Sequence, residues 1–196
     1  MERRLNIKKV IIAVLILMLL IISIIVFAIS RIPVNPDENT NFKRESENST
    51  TEIFTDIENT ISVEIPKKYK LVQAHNNEYL IKLSSKENVD VYISTIDRIE
   101  GRDLYAIARA DKLAYLESYN SYSNASELKE LEVNGNKAYM YSFHYLDENL
   151  NKAFYIQVIL LEIGEKIYIL DIDFPLDDLV LYTNLATETL STFKQL

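Results

Sequence analysis

The chain has 196 residues and a formal net charge of −8, with no Cys, no Trp, three Gly, four Pro and two His. Without Cys there is no disulfide framework, thiol nucleophile or zinc–thiolate site, and two His are too few for a three-His metal centre. Three scattered Gly cannot build a Gly-rich phosphate cradle, while a composition that is 48% hydrophobic and 26% charged excludes a disordered chain.

The charge is unevenly divided. Residues 1–30 carry Arg3, Arg4, Lys8 and Lys9 against Glu2, a net of +3, so with −8 overall the remainder carries −11. Such an acidic remainder repels phosphate backbones, and no nucleic-acid partner is expected.

Val10 to Ile29 contains no charge, and sixteen of its twenty residues are Leu, Ile, Val or Phe. As a helix it spans about 30 Å, the thickness of the hydrocarbon core. It lacks the polar face that a helix on a soluble core would need. Residues 10–29 are therefore expected to form a transmembrane helix. Because the basic residues precede it, residues 1–9 should be cytoplasmic and the rest outside, as in an uncleaved signal-anchor. The rival is a cleaved signal peptide with small residues at Ala28-Ile29-Ser30, whose apolar region is ordinarily about 7–15 residues long. Residues 30–51, with two Pro and a high Asn, Glu, Ser and Thr content, read as a flexible linker. Residues 52–196 suffice for one domain with a real core.

Within that domain Gly and Pro are so few that each one punctuates. Glu52–Phe54 and Ile61–Ile65 read as short strands around a turn at Asp56 to Asn59, closed by Pro66. Tyr79–Ser84 and Val89–Thr95 alternate apolar and polar residues, which predicts a hairpin. Asp103 can cap a helix reaching about Tyr119. Its apolar stripe would be Ala106, Ile107, Ala110, Leu113 and Ala114, with Arg109, Asp111 and Lys112 outside. Leu128–Val133, Lys137–Tyr145, Lys152–Glu162 and Lys166–Phe174 are strand-like runs whose short connections require an antiparallel meander. A last helix should open at Pro175, with Asp177 and Asp178 at its positive end, and bury Leu179, Tyr182, Ala186, Leu190 and Phe193. Two helices on an antiparallel sheet make an α+β sandwich.

Asp147, Asn149 and Asn151 alternate as in the opening of a calcium loop. However, Lys152 and Val158 stand where that loop needs Gly and a bidentate Glu, so a polar hairpin tip is expected. Asp171 and Asp173 share one strand face and could hold a cation or do acid–base work; the plainer reading is a solvated face opposite Tyr168, Leu170, Ile172 and Phe174. Tyr139, Tyr141, Phe143 and Tyr145 line one strand face, as a docking row for a partner or as filling for a half-buried sheet. A one-residue slip exchanges the faces, so both readings stay open. Lys67, Lys68 and Lys70 around Tyr69 read as a solvated basic cluster. His75 and His144 have no catalytic or metal-ligand motif around them.

The order of elements resembles the PsbP-like fold, shared by photosystem II extrinsic proteins, the Ran release factor and many anchored bacterial proteins. The resemblance lies in the strand ending Ile65-Pro66 with Tyr69 behind it, and in the turn Val133-Asn134-Gly135-Asn136-Lys137-Ala138 entering an aromatic strand. It continues in the run from Tyr168 to Pro175 and the closing Ser191-Thr192-Phe193-Lys194. It implies a non-enzymatic accessory or binding role, with no catalytic residues to carry over. From the residues themselves no cofactor and no metal are expected. The expectation is a single-pass protein of the bacterial cell envelope, held in the membrane by residues 10–29. Its partner would be another envelope protein or wall component, bound through Tyr139, Tyr141, Phe143, Tyr145, Asp171 and Asp173. The alternative is a small-molecule or cation-binding module on the acidic strand face.

Overall fold

A computed structural model describes residues 49–74, 78–119 and 121–196. The expected transmembrane helix, the cytoplasmic terminus, nearly all of the linker and His75 lie outside the described residues. Among the described residues, no helix is long and apolar enough to cross a membrane.

The chain enters through a hairpin, β1 (Thr51–Thr55) and β2 (Ile61–Pro66). Its turn is built by Asp56, whose carboxylate accepts from the amides of Thr60 and Ile61 and from the Thr60 hydroxyl, while Asn59 takes a left-handed φ of 54°. A 3-10 turn at Lys67–Tyr69 leads to β3 (Val72–Ala74), β4 (Ile81–Ser84) and β5 (Asp90–Asp97). Strand β3 is too short for alternation to reveal it in the sequence.

Helix α1 (Leu104–Ser118) begins at Asp103, whose side chain accepts from the Ala106 amide. A short β6 (Tyr122–Ser123) and then β7 (Lys129–Val133), β8 (Asn136–Asp147), β9 (Lys152–Ile163) and β10 (Lys166–Pro175) follow. The β7–β8 turn uses Asn134 and Gly135, both at positive φ, the backbone that matches strand twist in a two-residue hairpin.

The predicted last helix is broken. After a 3-10 turn at Leu176–Asp178, α2 (Leu179–Tyr182) and α3 (Leu185–Ser191) are separated at Thr183-Asn184, and the chain ends in β11 (Lys194–Gln195). Thr and Asn are poor helix formers, and the core rewards a re-aimed second half. Leu185, Ala186, Leu190 and Phe193 are buried, Leu179 and Tyr182 lie at the edge of the core, and Val180 and Leu181 are exposed.

The expected meander forms with antiparallel register throughout. Two non-local pairings complete the architecture: β5 docks on β10, and β11 on β2. The large sheet runs β3-β4-β5-β10-β9-β8-β6, with β7 also on β8, while β1-β2-β11 form a separate small sheet.

Alternation along β10 divides the core in two. Tyr168, Leu170, Ile172 and Phe174 pack with the small sheet and α3; Ile167 and Ile169 face α1 together with Tyr141, Phe143, Ile156 and Val158. The helices therefore lie on opposite faces of the sheet.

The stripe of α1 also differs from its prediction. Leu104, Ile107, Ala108 and Leu116 are buried and Asp111, Lys112 and Tyr115 half-buried, whereas Ala106, Ala110, Leu113 and Ala114 are exposed. Hydrophobicity chose the Ala-rich side. The helix instead turns inward the polar side chains that find hydrogen-bond partners on the sheet.

Candidate functional site

Beneath the C-terminal half of α1, β10 presents Asp171 and Asp173 on the helix side. Register places Tyr92 and Asp90 of β5 opposite them on one flank, and Val158 and Ile156 of β9 on the other. Beyond β9, Tyr141, Phe143 and Tyr145 of β8 continue the same face. The two groups singled out in the sequence thus belong to one site. Tyr139 lies farther along β8, where its hydroxyl donates to Glu130 and its ring meets Tyr105 edge-on.

The hydrogen bonds cross between elements. Tyr115 of α1 donates to Asp171 Oδ2 (2.5 Å), Tyr145 to Asp173 Oδ2 (3.0 Å), and Tyr141 to Asp111 Oδ2 on α1 (2.7 Å). Tyr92 donates to Asp90 (3.0 Å), and its ring meets that of Tyr79 at a tilt, with centroids 4.7 Å apart. Tyr119 packs on Phe143 and Tyr145 with centroids at 5.3 and 4.7 Å.

The second oxygens, Asp171 Oδ1 and Asp173 Oδ1, are shut off from solvent and have no hydrogen-bond partner. None of the ion pairs among the described residues involves either carboxyl. Asp171 and Asp173 are half-buried, so the acidic face expected to be solvated is partly covered, with tyrosines supplying donors that water would otherwise have supplied.

Burial without a counter-cation disfavours charge. It pushes Asp171 up to about 6, aided by the carboxyls of Asp111 and Asp90 and opposed by the Tyr115 hydrogen bond. Asp173 is pushed up to about 7, again chiefly by burial, with Asp171 adding to it and the Tyr145 hydrogen bond opposing. Burial also raises Asp111. The surrounding phenols move up as well, by burial first and by the nearby carboxylates second. The hydroxyls of Tyr115, Tyr141 and Tyr145 act here as hydrogen-bond donors. What the arrangement can do chemically is hold protons on carboxyls near neutrality.

Among the described residues, no three His, Asp or Glu side chains are grouped so as to hold a metal ion. At the β8–β9 tip, Asp147 Oδ1 accepts from the amides of Asn149 and Leu150, a self-satisfied hairpin turn. His144 contacts Asn124 and the ring of Tyr155. Lys68 and Tyr69 both reach Glu188 of α3, so part of the basic cluster ties the first hairpin to the C-terminal helix.

Sequence reasoning missed Asp90, Tyr92, Asp111, Tyr115 and Tyr119 as members of the site. The signals were present, since Asp90 and Tyr92 share a strand face and Asp111 and Tyr115 stand four apart on a helix. Nothing local said that these two faces meet.

No family model matches the chain, and no curated protein matches it. Solved structures do. PsbP of the cyanobacterium Synechocystis superposes with a TM-score of 0.56 at 10% identity, over 82% of this chain and 99% of that one. The Ran-binding protein Mog1p of Saccharomyces cerevisiae gives 0.53 at 10% identity over 74% and 95%. LpqN of Mycobacterium tuberculosis, described as involved in cell envelope biogenesis, gives 0.51 at 8% identity over 76% and 86%. At such identities the likeness is one of architecture, and the architecture of the described domain is the PsbP-like fold.

Proposed function

We propose that this chain is a non-catalytic accessory protein of the bacterial cell envelope, anchored by a single membrane-spanning helix at residues 10–29. Its PsbP-like domain stands outside the membrane and binds another envelope protein or wall component. The observation that carries this reading is the charge-free run Val10 to Ile29, flanked on its N-terminal side by Arg3, Arg4, Lys8 and Lys9 and followed by an acidic remainder.

The fold supports a binding role. Mog1p is a Ran-binding protein, and LpqN is described as taking part in cell envelope biogenesis. The chemistry of the described domain is compatible with it too, since the clustered carboxyls and phenols are engaged with one another.

The test is an epitope tag placed after Leu196 and protease added to intact cells stripped of their wall. Loss of the tag while a cytosolic marker survives upholds the topology. A protected tag, or a tagged product released into the medium that begins near Arg31, refutes the anchored reading. Partner binding is tested by cross-linking in those same cells: adducts that vanish when residues 52–196 are replaced by an unrelated domain support it, and adducts that persist refute it.

A further inference from the structure

The two halves of α1 are held down differently. Its first half rests on buried apolar side chains, Leu104, Ile107 and Ala108. Its second half combines one apolar anchor, Leu116, with polar ties from Tyr141 to Asp111, Tyr115 to Asp171 and Lys112 to the Ser126 carbonyl, and with the packing of Tyr119. One of these ties, from Tyr115, ends on Asp171, and Tyr119 packs on Tyr145, which donates to Asp173; the inner oxygens of both carboxyls are orphaned.

We propose that Asp171 and Asp173 form a proton-operated latch for α1, closed while the carboxyls carry protons and loosened when they release them.

The surroundings of the pair explain why a proton, and not a basic side chain, neutralises it. From α1 the facing ionisable groups are Asp111, Tyr115 and Tyr119. From β5 they are Asp90 and Tyr92, and from β8 they are Tyr141 and Tyr145, with Asp147 at its end. Tyr79, ahead of β4, closes the remaining side through its tilted ring contact with Tyr92. From β9 only Ile156 and Val158 face the pair. The Lys82 ammonium of β4 lies over the ring of Tyr92, 5.1 Å from its centroid.

When each carboxyl loses its proton to water, two negative charges stand beside Asp111 and Asp90 with an oxygen apiece unsolvated. A buried charge without a partner is among the costliest arrangements in a protein interior. The nearest relief is for the second half of α1 to lift, so that water reaches both Oδ1 atoms. That movement withdraws Tyr115 and Tyr119 from Phe143 and Tyr145. The working interval lies where the carboxyls titrate, at about 6 and about 7.

Hydrogen–deuterium exchange of the full chain in detergent tests the latch, after correction for the intrinsic pH dependence of exchange. The amides of residues 104–118 should exchange at least about tenfold faster at about pH 8 than at about pH 5, because one unit of pKa displacement corresponds to a factor of ten. Those of β1 and β2 should not change. The double variant D171N/D173N should retain at about pH 8 the protection that the wild type shows at about pH 5. Equal protection of α1 at both pH values in the wild type, or a variant that loosens as the wild type does, overturns the proposal.

Should the double variant fail to fold, infrared spectra of the wild type decide. A protonated-carboxyl carbonyl band with a titration step between about pH 6 and pH 7, separate from the step at about pH 4 of the exposed Asp and Glu side chains, upholds the latch, and the lack of that upper step overturns it.

Discussion

Replacing Asp171 by Asn should stabilise the domain at mildly alkaline pH, against the usual rule that changing a buried, hydrogen-bonded residue destabilises. The carboxyl is displaced from its ordinary 3.8 to about 6, so the folded state disfavours the charged form. Its contribution to stability is therefore complete below about pH 4 and is lost as the pH rises through about 6. Roughly two units at about 1.4 kcal/mol each give a penalty of up to about 3 kcal/mol at pH 8. Asn cannot ionise, and its carbonyl oxygen can still accept from Tyr115. Its amide nitrogen takes the place of the orphaned Oδ1, and an incompletely paired amide costs about 1 kcal/mol. The net gain is then about 2 kcal/mol, or about 4–8 °C in melting temperature for a domain of this size. Thermal unfolding of the full chain, followed by circular dichroism from about pH 4 to pH 8, should show D171N above the wild type at the alkaline end. The two should converge, or cross, at the acid end. Destabilisation of D171N by the same amount across that range would refute the reasoning, because the charge of Asp171 would then cost the folded state nothing.

Other substitutions address the remaining supports of the fold. Asp56 is 2% exposed and accepts three hydrogen bonds that shape the β1–β2 turn, so Asp56→Ala should cost about 2–4 kcal/mol in urea unfolding, with Asp56→Asn losing less than half of that. Equal losses in the two variants would contradict this account. Phe143 is fully buried between α1 and the sheet, so Phe143→Ala should cost about 3–5 kcal/mol and Phe143→Leu about 1–2 kcal/mol, measured the same way. Asp103→Ala removes the cap of α1 and should cost about 1 kcal/mol; faster amide exchange confined to the first turn of the helix would mark the loss as local.

The elements were legible in the sequence wherever one local rule acted alone. Alternation marked β4, β5 and the four strands of the meander, Asn134-Gly135 marked a tight turn, and Asp103 marked the start of α1. Where two rules competed, the reading slipped. The Ala-rich side of α1 looked like its buried face, because hydropathy does not register the hydrogen bond that draws Tyr115 inward. The terminal helix looked continuous because its apolar spacing runs through Thr183-Asn184, where the chain re-aims α3 at the core.

The candidate site divides in the same way. That Asp171 shares a face with Asp173, and Tyr141 with Phe143 and Tyr145, follows from the period of a strand and needs no structure. That the two sets form one cluster, and that the acidic pair is partly covered, depends on contacts between segments far apart in the chain. Tyr115 and Asp171 are 56 residues apart, and the pairing of β5 with β10 joins segments more than sixty residues apart. Local pattern determines which side chains point together. Only the tertiary structure decides what lies over them, because water and a helix are equally acceptable neighbours for an alternating strand until the rest of the chain is in place.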